Sequence, residues 1–370
     1  MNALGIIFAD SYSRDERNEL TRYRSGASLP VGCRFRAIDF MLSSLVDADI
    51  RTVGLLTKQN YGSLVDHLNG GKYWDLARKR GGLSIMTPYS RGETAVPTAT
   101  AGKLDALRGI VSYLKHQSAE YVILAQGNIV TNLDLKDILN EHMVSQADIT
   151  MVCANIENPA DRSMVPTFDE NGLLKDVHFS KESGKHLVAI NCYCMQRDFL
   201  LAFLEKADLY DWHDLNRDLI LRHMDSLRIM GYIHKGYAAM TGTIAQYYKC
   251  NLDMLKAEVR EDLFNAERPI LTHIHDTVPT TYNFDASVRN TLLADGCEIG
   301  GTVENSVLFR KVVVEKGAQL DNCVIMQGAQ IGKNAVLKNV ICDKNVVISD
   351  GVELIGSPAY PYVLRKGAKV

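Results

Sequence analysis

The stretch LGIIFADSYSRDERNELTRYRSGASLP, residues 4–30, runs from an apolar strand into a polar loop that carries Arg14, Arg17 and Arg24. Guanidinium groups placed just beyond a strand suit anion recognition, because each presents a fork of N–H donors that matches a phosphate. Gly26 is the one residue between Asp10 and Pro30 whose backbone can approach a phosphate with no side chain in the way. Asp15, Glu16 and Glu19 stand among the arginines and offset them, which favours a solvated loop over a triphosphate cradle.

The other chemistry-bearing residues read as structural. His67, His142, Trp74 and Trp212 fall on expected helices or their flanks, where core or surface packing accounts for each. The eight cysteines form no CxxC pair, so they are expected to be reduced, structural thiols. With 41 basic and 44 acidic residues and a net charge of -3, the chain lacks the field of a nucleic-acid protein. Apolar runs such as YVILA are far shorter than the roughly 20 residues of a membrane span. The amino terminus lacks a basic region and a cleavage site, so a cytoplasmic location is expected.

The elements that must position these residues follow two patterns. ALGIIFA (3–9), TVGLLT (52–57), YVILA (121–125) and DITMVCA (148–154) are separated by segments of helical spacing. In LDLKDILNEHMVSQ, Leu135, Ile138, Leu139 and Met143 should share a face, with Asp134 capping the first turn. This alternation predicts an α/β domain with a mostly parallel sheet covered on both faces over 1–260. Ligands in such sheets sit beyond the strands' carboxyl ends, here the loops after Phe8, Thr57 and Ala125.

A linker over 261–284 is expected to lead into a repeat over 285–370. Aliphatic residues step along it in sets offset by seventeen: Cys297, Val303 and Leu308, then Val314, Leu320 and Ile325, then Ile331, Leu337 and Cys342, then Ile348 and Leu354. Gly300, Gly317, Asn334 and Gly351 form one column, and Asn305, Asn322 and Asn339 another. Gly and Asn tolerate positive φ, so these columns predict recurring corners of a parallel β-helix. Acyltransferases with this architecture use a histidine base, and no histidine follows His275. An assembly or structural role is therefore expected of the β-helix.

LTRYRSGASLPVGCRFRAIDFMLSSLVDADI (20–50) resembles the signature of the ADP-glucose pyrophosphorylase (glucose-1-phosphate adenylyltransferase) family. DALRGIVSYL (105–114), ILNEHMVSQADITMVC (138–153), GTIAQYYKCNLDML (242–255) and GTVENSVLF (301–309) extend the resemblance over nearly the whole chain. It implies a Rossmann-like nucleotidyltransferase domain followed by a left-handed β-helix. The order R-x-I-D-F, with Arg36, Ile38, Asp39 and Phe40, is retained, and an ion pair and apolar face at a helix start are expected of it.

Against that family the reaction centre departs at four places. The loop G-G-x-G-x-R-L is replaced by DSYSRDERNEL, which has no glycine. The lysine of R-A-K-P is replaced by Gly26, although Arg24 is kept. The two magnesium-binding aspartates, in S-G-D-H and D-V-G-T, fall at Gly127, or at Asn128 if the alignment slips by one, and at Met240. Losing one electrostatic stabiliser typically costs about 3 to 4 kcal/mol, roughly a hundred- to a thousandfold in rate. HFSKES (178–183) loosely matches the family's F-x-E-K-P, which makes Lys181, with Arg24, a candidate contact for a sugar phosphate or other anion.

The resemblance therefore implies a GlgD-type regulatory subunit that binds no cofactor itself. It would form a hetero-oligomer, expected to be a tetramer, with a catalytic subunit that uses Mg2+ and ATP to make ADP-glucose from glucose 1-phosphate. Two alternatives stand beside it. One is a self-sufficient nucleotidyltransferase using Arg14, Arg17 or Asp10, and the other is a non-catalytic sensor of nucleotide or sugar phosphate. Basic side chains between Arg14 and Arg36 are candidates for an anion site between the domains.

Overall fold

The computed structural model describes residues 2–10, 19–58, 60–87, 102–160, 163–179 and 184–370. Its amino-terminal domain is built on strands β1 (Ala3–Phe8), β2 (Thr52–Leu56), β3 (Gly82–Met86), β4 (Tyr121–Gln126), β5 (Ile129–Thr131), β6 (Ile149–Glu157), β7 (Lys185–Gln196), β8 (Ile229–His234) and β9 (Ala238–Met240). Seven form one sheet in the order β8-β6-β7-β4-β1-β2-β3, and β5 pairs separately with β9. β1 lies parallel between β2 and β4, and every one of its residues is buried, as its unbroken apolar run requires. β7 runs antiparallel to both β4 and β6. Its alternation is interrupted at a bulge between Ala189 and Cys192, which is why the sequence pattern does not reveal it.

Helices cover both faces. The labelled ones are α1 (Ala37–Asp47), α2 (Gly62–Leu68), α3 (Leu135–Ser145), α4 (Arg197–Leu209) and α5 (Ile244–Asp253). Ile7 points into one core with Ile38, Leu45 and Ile138. Leu4, Ile6 and Phe8 point into the other with Leu104, Leu107, Leu200 and Leu204. In α3 the Asp134 side chain accepts from the Asp137 N–H at 3.0 Å and caps the helix as expected. The buried face differs from expectation by one residue. Met143 is exposed, whereas His142 is buried and bonds Thr150 Oγ1 at 2.8 Å. Position 142 lies three residues from Leu139 and four from Ile138, which centres it on that face.

The carboxy-terminal third forms three parallel sheets of five short strands each. With its short repeat this is the expected left-handed parallel β-helix. Val303 pairs with Leu320, Leu320 with Leu337, and Leu337 with Leu354, each a seventeen-residue step. Asn305, Asn322 and Asn339 all adopt positive φ, as do Gly317, Asn334 and Gly351. Two members of the expected columns are displaced. Ile299, and not Cys297, pairs with Val314, and Gly300 is absent from the positive-φ residues. The cause is a shorter corner. Two residues separate Ile299 from the next strand at Thr302, whereas four separate Val314 from Gln319.

The first strand of the β-helix, Thr281–Tyr282, begins just before the boundary expected from the repeat. The segment leading to it is fastened to α1 and α2. The Leu271 N–H donates to Ser43 Oγ at 2.8 Å, and Thr272 Oγ1 donates to Asp39 Oδ2 at 2.6 Å. Tyr247, Tyr248, Val307, Val324, Met326 and Ile341 belong to one buried cluster, so α5 and an outer face of the β-helix share a core.

Candidate functional site

The expected loops do converge beyond the carboxyl ends of β1, β2 and β4. The Gly127 N–H donates to Phe8 O at 2.8 Å, and the Ala27 N–H to Ala9 O at 3.1 Å. Asp10 Oδ2 accepts from the Lys58 N–H at 2.6 Å, while Asp10 O accepts from Gln126 Nε2 at 3.1 Å. Arg14, Arg17 and Lys181 lie outside the described residues.

The positions where the family resemblance expected a lysine and two aspartates are brought together. Of the two candidates for the first aspartate position, Gly127 has no room for a side chain. A Cβ there would meet Ala27 Cβ at 2.9 Å, Ile7 Cγ2 at 3.1 Å and Phe8 O at 3.2 Å. The next residue, Asn128, is the one that faces Gly26. A Cβ at Gly26 would lie 3.5 Å from Asn128 Cβ and 3.8 Å from Asn128 Nδ2.

Asn128 is buried, and its Oδ1 has no hydrogen-bond partner among the described residues. Its backbone oxygen accepts from both the N–H and the Oγ1 of Thr241, at 3.1 and 3.0 Å. Met240 pairs with Ile129 and packs against the core of the sheet. A hard cation would therefore find one neutral amide oxygen and no carboxylate at these positions, a donor set that does not fit magnesium. Among the described residues no group of His, Cys, Asp or Glu is placed to hold a metal.

Arg24 lies two residues from Gly26 and turns toward the β-helix. Its Nη2 pairs with Asp343 Oδ1 at 2.5 Å, with both side chains buried, and its Nη1 lies 3.4 Å from Met326 Sδ. An anion at Arg24 would have to share the guanidinium with this carboxylate. Lys344 stands beside the pair, and burial, then the nearby Arg36 and Arg24, push its ammonium down to about 8.

Arg36 and Asp39 do not form the side-chain pair that R-x-I-D-F suggested. The Arg36 guanidinium donates to Ser63 O and Oγ, while the Arg36 N–H donates to Asp39 Oδ2 at 2.9 Å. A carboxylate three residues into a helix reaches back over its first N–H, and this places Asp39 for capping. Its Oδ1 bonds His67 Nε2 at 2.6 Å. Nothing in the local sequence joins positions 39 and 67; only the packing of α1 on α2 does.

A parallel-rich sheet with this loop cluster, joined to a hexapeptide β-helix, defines a nucleotidyltransferase class of protein. Residues 18–256 match the nucleotidyl transferase family, and residues 277–359 match the GlmU-like, C-terminal hexapeptide family. The glycogen biosynthesis protein GlgD of Bacillus subtilis is 33% identical over 98% of this chain and 96% of its own. GlgD of Geobacillus stearothermophilus is 35% identical over 98% and 96%. The glucose-1-phosphate adenylyltransferase of Thermosipho melanesiensis is 30% identical over 80% and 73%. The chain belongs to the nucleotidyl transferase family of glycogen biosynthesis that contains GlgD and the glucose-1-phosphate adenylyltransferases. Among the described residues no helix is long and apolar enough to cross a membrane.

Proposed function

We propose that this chain is a GlgD-type regulatory subunit, catalytically impaired by itself, that supports ADP-glucose synthesis by a catalytic subunit. The observation that carries this reading is that Gly26 faces Asn128, beside the strand that carries Met240, with neither a lysine nor a carboxylate among the three. A transferring phosphoryl group needs charge placed where its own charge develops, and these side chains supply none. The near-full-length similarity to two GlgD proteins supports the same assignment. Mg2+ and ATP would then be used by the partner, and the partner would supply the lysine and both metal ligands.

Regulation would pass through the domain junction. Arg24 links the segment carrying Gly26 to Asp343 of the β-helix, so a shift in either domain is felt by the other. Such coupling is usually worth about 1 to 3 kcal/mol, roughly five- to a hundredfold in affinity.

The test is steady-state ADP-glucose synthesis by the purified chain alone, by a catalytic partner alone, and by the two mixed. The lone chain is expected to make little or no product at saturating magnesium and substrates. The mixture is expected to differ from the partner alone by roughly that five- to hundredfold scale in apparent affinity or rate. Turnover by the lone chain near a typical enzyme's median, on the order of 10 per second, would refute the impaired reading. An unchanged partner would refute the regulatory one.

A further inference from the structure

The last coil of the β-helix departs from its own repeat. Ile325 pairs with Cys342 at the regular step, whereas Cys342 pairs with Leu364, well beyond the next one. The added length forms a closed turn. Ser357 and Tyr360 exchange backbone hydrogen bonds of 3.1 Å in both directions, and Ser357 Oγ also accepts from the Tyr360 N–H at 3.2 Å. Gly356 roots this turn against the preceding coil, its N–H donating to Lys338 O at 2.8 Å and its carbonyl accepting from Asn339 Nδ2 at 3.1 Å. A Cβ at this position would lie 2.4 Å from Asn339 O, so the close approach requires glycine.

What the turn presents is aromatic. Tyr360 is 84% exposed and Tyr362 46%, beside Ile355 at 59%. Between them, Ile244 at the start of α5, and Glu19 lies an open groove of about 630 Å³. That volume falls within the range of small-molecule sites. Among the described residues its lining contains no Lys or Arg, which disfavours a phosphorylated or otherwise anionic ligand. Tyrosines supply rigid, amphipathic faces with few rotatable bonds to order on binding. A neutral ligand with flat apolar faces and many hydroxyls matches this combination of rings, one carboxylate and one serine.

We propose that the groove binds a glucan chain, with pyranose rings lying against Tyr360 and Tyr362 and sugar hydroxyls donating to Glu19 and Ser357. The site is separate from the Gly26 cluster. The proposal rests on membership of a glycogen-biosynthesis family and not on the regulatory reading, so either can fail without the other.

The test uses the full chain in native gels with and without glycogen, together with calorimetric titration with maltoheptaose. Retardation by glycogen is expected. Tyr360→Ala and Tyr362→Ala should each weaken maltoheptaose binding by at least about fivefold, the scale of one aromatic contact. Tyr360→Trp should retain it. Unchanged thermal unfolding of the alanine variants establishes that the fold is intact, as expected for such exposed side chains. Absence of retardation in the unmodified chain overturns the proposal, as does equal retardation of both alanine variants. A change in oligomeric size accompanying lost retardation would identify the groove as a subunit contact and overturn it too.

Discussion

At the scale of single residues, Gly26 shows how far one substitution stands from restoring chemistry. The space immediately beside it is open, since the nearest atom to a Cβ built there is Asn128 Cβ at 3.5 Å, so a side chain can start there without a clash. No carboxylate at 128 or 240 would hold a metal to align a triphosphate. Gly26→Lys is therefore expected to fold normally and to remain nearly inactive alone, measured by ADP-glucose formation. Full activity from this one change would show that the remaining site was never lost.

At the scale of elements, two devices carry stability. The β-helix stacks Leu320, Leu337 and Leu354 in one column, with Leu337 fully buried. Leu337→Asp would bury a charge in that stack, at a cost of several kcal/mol unless the coil opens. Loss of the native size on a sizing column and an earlier thermal transition are expected. The second device is Asp218, in the helical segment Leu215–Leu221, which accepts from the His213 and Asp214 N–H groups at 3.1 and 3.0 Å and from Arg217. Burial alone would raise this carboxyl, but the bonds from Arg217 and the two backbone donors outweigh it and hold the group down to about 2. Its folded value lies below its unfolded one, so its stabilisation is present above about pH 4 and is lost as pH falls toward 2. Urea unfolding of the native chain and of Asp218→Asn should converge on acidification through this window, the variant being the less stable at neutral pH.

At the scale of the whole molecule, the buried Arg24–Asp343 pair ties the two domains. Removing one partner leaves the other charge buried and unpaired, which typically costs about 3 to 5 kcal/mol. Asp343→Leu is expected to lower the urea midpoint accordingly, while the same substitution combined with Arg24→Met should cost much less. A double-mutant cycle measures the difference. Strictly additive losses would show that the pair contributes no coupling between the domains.

Periodicity and residue type were sufficient for the strands that are buried on both faces and for the seventeen-residue coil, because both are local patterns repeated many times. The same is true of the substitutions at Gly26 and Met240, which need only the order of residues along the chain. The choice between Gly127 and Asn128 as the residue facing Gly26 needed the packing of Ala27, Ile7 and Phe8 around the glycine. The partners of Arg24 and Asp39 were likewise decided by tertiary structure. Asp343 lies more than three hundred residues from Arg24, and His67 reaches Asp39 from another helix. A side chain's partner across such separations is set by how whole elements pack, and no spacing within either segment encodes it.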